Sequence, residues 1–357
     1  MHILMVAPEQ IPVPGNGSVE ICMLSIAKQL ALAHKVTIVS RQKVGLPKIS
    51  KQGNLTIVRV PSGSSQTYIA AVLRYLKGKS FDFIQVDNRP HYMAKIKNAF
   101  PRTPVSLFLH SLTFVPLTKT VAASIAKANL IIANSDSLKR NLSRRFSNQA
   151  TKIRRVHLGV DTHRFNPTTR DANNPVFNVL FAGRVIPRKG VDVLIKAIGI
   201  VSRHVPNVKL TVAGGGKAPY INQLKALAKT NNVNISFTGR IAHAKMDQIY
   251  RTADCFVCPS QLHEAFGLVN VEAMASGLPV VASNIGGIGE IVKHASNGYL
   301  VDDYSNPEAH ATFIVNIAQN KQFAASFAKQ ARHDAVSRFS WNQTATKLME
   351  IYKSQRA

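Results

Sequence analysis

The sequence predicts an α/β protein with two doubly wound, parallel sheets in separate domains, and three observations carry this expectation. With 357 residues, 45% of them hydrophobic, the chain can fill two cores, whereas a single core stops growing at roughly 250 to 300 residues. Short runs rich in Val, Ile and Leu alternate with stretches of helical periodicity, in two successive series. A segment rich in Asn, Asp, Pro and Thr, Phe165 to Pro175, separates the series and reads as a linker.

In the first series the strand candidates are HILMVAP, KVTIVS, LTIVRV, FDFIQV, PVSLFLH and NLIIAN. Their apolar residues are continuous, as in parallel strands buried on both faces. Between the first two, VEICMLSIAKQLALA repeats apolar residues at helical spacing. The second series runs VFNVLFAG, VKLTVAG, ISFTG, DCFVCP, LPVVAS and GYLV, with helices starting near Val191, Tyr220 and Lys245. The expected domains are residues 1–168 and 175–335, with a last helix over about 340–357 that packs back on the first. Ligands bind at the strand carboxyl ends of such sheets, so two of them can face each other across a central cleft.

Composition narrows the function. Cys22, Cys255 and Cys258 lack the second ligand pair that a zinc site needs, and DCFVCPS reads as a buried strand in a reducing compartment. No apolar run reaches the ~18 to 20 residues of a membrane-spanning helix, and MHILMVAPEQ reads as a strand rather than a signal peptide, so the expected location is the cytoplasm. The net charge of +27 is uneven: residues 1–170 hold 25 basic and 6 acidic side chains, net +19, and residues 171–357 hold 20 and 12, net +8. Such a first half suits an anionic partner (nucleic acid, an anionic membrane face or an acidic polymer), with solubility alone as the alternative.

The chemistry concentrates in Ser260 to Val292, SQLHEAFGLVNVEAMASGLPVVASNIGGIGEIV. After a strand come Glu264, then Phe266-Gly267-Leu268 at a helix start, Glu272 inside that helix, and a Gly286-Gly287 turn. Free N–H groups at a helix N-terminus, opened by a glycine, suit a diphosphate. The two glutamates suit hydroxyl pairs, because a carboxylate accepts bidentate hydrogen bonds from a diol.

This segment resembles the Glu-x7-Glu signature of the GT-B glycosyltransferases of family 4, also called glycosyl transferases group 1, and the resemblance spans nearly the whole chain. It implies two Rossmann-like domains, the first on the acceptor side and the second binding a nucleotide sugar. By the family pattern Glu264 contacts the transferred sugar, Gly267 and Leu268 the diphosphate through backbone N–H groups, and Glu272 the ribose. FAGRVIPRKGVDVLIKAI resembles the Gly-Arg and Lys-Gly segment of the family, which implies that Arg184 and Lys189 neutralise the leaving diphosphate. VAGGG, Gly214 to Gly216, and FTGRI resemble further loops of the nucleotide site, with Arg240 and Ile241 near the base.

In the first half, PVPGNGSVE resembles the family's glycine loop, although the frequent adjacent glycines are replaced by Gly15-Asn16-Gly17. Gly17 is the candidate for backbone contact with the phosphates. His110 ends PVSLFLH, where the likeness implies a histidine beside the donor sugar and the reacting centre. ANSDSLKR and HLGVDTHRF also resemble family segments, the second departing from the frequent Pro-Asn-Gly-Val-Asp form at His157-Leu158.

The activity implied is retaining transfer of a sugar from a nucleotide-diphosphate donor, a UDP-sugar foremost, to an acceptor hydroxyl. No cofactor and no metal are expected, since Asp302-Asp303 lies beyond the final strand and outside the donor loops. The acceptor stays open among an anionic glycan, a lipid-linked and a cell-surface polymer, with peripheral contact to an anionic membrane and no nucleic acid. Basic stretches for such a surface are Leu73 to Lys79, with Arg74, Lys77 and Lys79, and Leu138 to Arg145, with Lys139, Arg140, Arg144 and Arg145. FDFIQVDNRP and APEQIPVP resemble the family branch that includes the spore coat proteins of spore-forming bacteria. That likeness adds a spore-associated location and a non-enzymatic coat or binding role as alternatives, beside a nucleotide-sugar epimerase of the same fold.

Overall fold

The computed structural model describes residues 1–12, 17–168 and 175–355. The chain divides into two compact units, Met1–Gly159 with Trp341–Ala357, and Val160–Ser340. The expected linker lies partly outside the described residues, as do Gly15 and Asn16 of the glycine loop.

The first unit contains β1 (His2–Gln10), β2 (Lys35–Arg41), β3 (Ile49–Gln52), β4 (Leu55–Val60), β5 (Phe83–Asp87), β6 (Val105–Leu109), β7 (Leu130–Ala133) and β8 (Ile153–Arg155). Among the described residues they order as β3-β4-β2-β1-β5-β6-β7-β8. Neighbours pair in parallel except β3 with β4. The runs of Val, Ile and Leu became the inner strands, and all five residues of β5 and of β6 are buried. β3 and β8 were not expected: ISKQ is a polar, largely exposed edge, and IRR buries one residue. The strand order reverses around β1, so the switch point, where ligands of such sheets bind, lies at the carboxyl ends of β1 and β5.

The last helix, Trp341–Ser354, belongs to this unit and buries Leu348 and Tyr352, with the Tyr352 ring stacked on Phe83 at 3.9 Å. Of the basic stretches, the first overruns its helix, Ser65–Leu76, so that Lys77 and Lys79 stand in the turn that follows. The second lies in the helix Asp136–Arg145. Arg74, Lys77, Lys79, Arg140 and Arg144 are exposed, while Lys139 and Arg145 are half-buried.

The second unit contains β9 (Phe177–Ala182), β10 (Val208–Ala213), β11 (Ile235–Gly239), β12 (Cys255–Cys258), β13 (Val280–Ser283) and β14 (Gly298–Val301). Their order is β11-β10-β9-β12-β13-β14, with every pair parallel. The helix Val191–Val201 buries Val191, Leu194, Ile195 and Ile198, a stripe at helical spacing that packs on the sheet. The helices expected near Tyr220 and Lys245 run Ala218–Thr230 and Met246–Arg251. Cys255 and Cys258 are buried in β12 and Cys22 in the helix Ser18–Leu30, none of them in a disulfide. Among the described residues no helix is long and apolar enough to cross a membrane.

Arg332 is a main tie between the long helix Lys321–Arg338 and the rest of the second unit. Arg332 donates to the carbonyls of Phe165 and Ala275, each at 2.7 Å, and of Thr162 at 3.0 Å. Removing the guanidinium leaves three carbonyls without that donor, so Arg332→Met should destabilise this unit by about 2 kcal/mol. The measurement is the urea midpoint at constant slope, and an unmoved midpoint would refute the role.

Candidate active site

In the second unit the strand order reverses around β9, so the carboxyl ends of β9 and β12 form the switch point. From β9 the chain passes Gly183 and the exposed Arg184 into a 3-10 turn, Pro187–Lys189. Lys189 closes that turn, just ahead of Gly190, the N-cap of the helix Val191–Val201. From β12 the chain runs through Glu264 into the helix Leu268–Ala275. The two loops are stitched together, because Gln261 N–H donates to the Arg188 carbonyl at 2.9 Å. This brings Lys189 to Glu264: the ammonium donates to Glu264 Oε2, with both side chains largely buried.

The backbone of Glu264 is fixed from the other side by the Gly286-Gly287 turn. Gly287 N–H donates to the Glu264 carbonyl at 2.8 Å. Gly286 has φ +65, and a Cβ there would lie 2.0 Å from the same carbonyl oxygen, so no other residue fits. Gly267, with φ +96, is the N-cap of the helix Leu268–Ala275, and no side chain caps that end. The start of the helix is thereby left open to an anion.

Glu272 sits on the same helix, 5% exposed. Tyr250 donates its hydroxyl to Oε2 at 2.9 Å, and His243 Nε2 lies 2.9 Å from Oε1. Arg164 Nη2 lies 3.2 Å from His243 Nδ1. The Glu272 carboxylate can only accept, so Nε2 of His243 donates to it. Burial pushes the Tyr250 phenol well above its ordinary pKa, which keeps it a donor. Arg240, exposed, and Ile241, half-buried, follow β11 on the loop that leads to His243.

In the first unit Gly17 is the N-cap of the helix Ser18–Leu30, at an ordinary φ of −76. Glu20, in its first turn, is buried, and burial raises its carboxyl pKa. Near the carboxyl end of β1, Glu9 pairs with Arg41 at 3.4 Å and with Arg89 at 3.5 Å. His110 follows β6 and is held at three points. Its N–H donates to Asn88 Oδ1 at 2.8 Å, its carbonyl accepts from Asn134 Nδ2 at 3.3 Å, and its ring Nε2 lies 2.9 Å from Asp87 Oδ2. Asp87 is fully buried, and its Oδ1 accepts from Gln85 Nε2 at 2.6 Å. Gln85 in turn accepts from the Tyr352 hydroxyl.

The structure thus brings Lys189, Glu264 and Gly267 together at one switch point, with Glu272 on the helix that Gly267 starts. His110 is placed in the other unit. Sequence reasoning missed the groups that hold these residues: Arg164, His243 and Tyr250 around Glu272, and Asp87, Gln85 and Tyr352 behind His110. For Gln85 and Asp87 a signal existed, since FDFIQVDNRP puts two polar residues at alternate positions of an otherwise apolar strand.

Two doubly wound units with polar and charged groups at the carboxyl ends of their sheets are the architecture of the GT-B fold. The chain belongs to the glycosyl transferases group 1, whose description matches residues 165–334, and the Glycosyltransferase Family 4 description matches residues 17–164. It is therefore a glycosyltransferase. Spore coat protein SA of Bacillus subtilis (strain 168) is 27% identical over the full length of both chains. The D-inositol 3-phosphate glycosyltransferase of Saccharomonospora viridis is 31% identical over 75% of this chain and 64% of that protein. Among solved structures, sucrose-phosphate synthase from Thermosynechococcus elongatus superposes with a TM-score of 0.84 at 20% identity, covering 99% of each chain. Anabaena HepE, in complex with UDP and glucose, gives 0.78 at 22% identity, covering 99% of this chain and 100% of that one.

The clash at Gly286 yields a paired prediction. Gly45 also has a positive φ, +82, yet nothing lies within 4 Å of a Cβ added there. Gly45→Ala should cost about 1 kcal/mol for the left-handed backbone alone. Gly286→Ala should cost about 3 kcal/mol, because the turn must also move off Glu264. Equal shifts of the two urea midpoints would contradict the packing argument.

Proposed function

We propose that this enzyme transfers a sugar from a nucleotide-diphosphate donor, a UDP-sugar foremost, to an acceptor hydroxyl, with retention at the anomeric carbon and without a metal ion. The observation that carries the reading is the Lys189–Glu264 pair beside an open helix start at a sheet switch point. As the sugar leaves, negative charge develops on the diphosphate. Lys189, Arg184 and the N–H groups of Gly267 and Leu268 supply the compensating positive charge, the task a divalent ion performs in other transferases. Glu264 holds the Lys189 ammonium in place beforehand, so little reorganisation accompanies the reaction.

Glu264 also accepts from hydroxyls of the transferred sugar, and Glu272 accepts from the ribose through lone pairs that Tyr250 and His243 leave over. Arg240 and Ile241 take the base, Gly17 meets the phosphates, and His110 works at the transferred sugar. The acceptor attacks from the face the diphosphate leaves, and the departing phosphate takes its proton. Family membership supports the nucleotide-sugar donor, and the UDP complex of Anabaena HepE supports uridine. The full-length likeness to a spore coat protein favours a second reading, a coat-associated enzyme or binding protein. A chain that neither binds nor turns over any nucleotide sugar would favour the non-enzymatic form of it, and turnover without an acceptor to another sugar nucleotide would favour an epimerase.

Titration with UDP, after a thermal-shift screen of UDP, GDP and ADP, checks the donor assignment. Glu272→Ala and Lys189→Ala should each weaken binding about 10- to 100-fold, the loss of one charge-assisted contact. His110→Ala should keep the affinity and lower kcat about 100-fold. Unchanged affinity in both of the first two variants would sink the assignment. Turnover should persist in excess chelator, and a strict requirement for added magnesium or manganese would overturn the metal-free scheme.

The exposed Arg74, Lys77, Lys79, Arg140 and Arg144 support contact of the first unit with an anionic membrane or polymer, in a cytoplasmic protein. Each cation near an anionic leaflet contributes about 1 kcal/mol, screened over ~8 Å at physiological salt. Binding to vesicles containing phosphatidylserine should fall with salt and be lost in Arg140→Glu with Arg144→Glu, with UDP affinity intact. Equal retention on neutral and anionic vesicles, together with no binding to acidic polymers, would refute it.

A further inference from the structure

Side chains alternate across a sheet, so Phe83, Gln85 and Asp87 of β5 share one face. The register pairs Gln85 with Ser106 and Asp87 with Phe108, which sets Ser106, Phe108 and then His110 beside them on that face. The final helix of the chain brings Tyr352 to the same place. Its ring stacks on Phe83 at 17° and its hydroxyl donates to Gln85 Oε1. Gln85 Nε2 donates to Asp87 Oδ1 at 2.6 Å, and Asp87 Oδ2 meets His110 Nε2 at 2.9 Å. Tyr352, Gln85 and Asp87 are each fully buried, so water does not compete for these bonds.

We propose that Tyr352, acting through Gln85 and Asp87, is a positioning residue for His110, fixing which ring nitrogen carries the proton and how the ring is turned. The inference rests on the assignment of His110 to the reacting sugar. An amide has a donor end and an acceptor end. Burial raises the Tyr352 phenol well above its ordinary pKa, so it keeps its proton and can donate to the carbonyl end. The NH2 end is thereby turned to Asp87, whereas a reversed amide would set a carbonyl oxygen against a carboxylate oxygen. With Oδ1 occupied, Oδ2 of Asp87 accepts from the Nε2–H of His110. The lone pair of the neutral imidazole is then on Nδ1, the atom left for the substrate. A helix at the end of the chain is on this account part of the catalytic apparatus.

The test uses the full-length protein carrying Tyr352→Phe, Gln85→Met, both together, and His110→Ala. Phenylalanine keeps the stacking and removes only the hydroxyl. Tyr352→Phe should lower kcat for donor turnover about tenfold, within the ~100-fold that a misplaced group can cost, with donor KM and UDP affinity unchanged. In protein labelled with 15N-histidine, the His110 signals should move from the Nε2–H pattern to a mixture of tautomers. Gln85→Met should match this loss, and the double variant should be no worse than the poorer single one, because both break one chain. A wild-type kcat and an unchanged 15N pattern in Tyr352→Phe, or losses that multiply in the double variant, would overturn the proposal. Should Gln85→Met fail to fold, Tyr352→Phe decides alone. Full turnover in His110→Ala would instead remove the assignment of His110, a failure that the 15N pattern distinguishes from that of the chain behind it.

Discussion

The second unit's site depends on the position of Glu264, which is fixed from two directions. Lys189 holds its carboxylate, and the Gly286-Gly287 turn holds its backbone. The two constraints have different physics. The ion pair neutralises a largely buried charge that would cost several kcal/mol alone. The turn sets the path of the chain by close backbone approach, which glycine permits and a Cβ forbids. From that fixed point the chain enters the helix Leu268–Ala275, so the direction of the open N-terminus and the place of Glu272 follow.

Two buried carboxylates, Asp87 in the first unit and Glu272 in the second, are held in similar ways. Glu272 meets His243 on one oxygen and Tyr250 on the other. Asp87 meets His110 on one oxygen and Gln85 on the other, with Tyr352 behind it. A histidine and a tyrosine belong to both networks. A low dielectric strengthens such hydrogen bonds and raises the cost of breaking them. The arrangement gives each histidine a defined tautomer, which an exposed ring would lack.

Much of the fold was legible because it is written in local patterns. Continuous apolar runs marked the inner parallel strands, helical spacing marked the helix Val191–Val201, and the segment around Glu264 and Glu272 marked the family. The misses have physical reasons. β3 is a polar edge strand with one row of partners and no need for an apolar run, and β8 is three residues long.

The sequence by itself determined the class of the two sheets, their strands' approximate places and the identity of the charged groups at the strand ends, because periodicity and spacing are properties of neighbours along the chain. Which partner each of those groups meets was decided by the tertiary structure. Lys189 and Glu264 are 75 positions apart, and Tyr352 and Gln85 are 267 apart. No local pattern encodes such a pairing; it appears when the sheet sets its register and the last helix closes over it, and burial then leaves each polar group only the partner that packing has brought within reach.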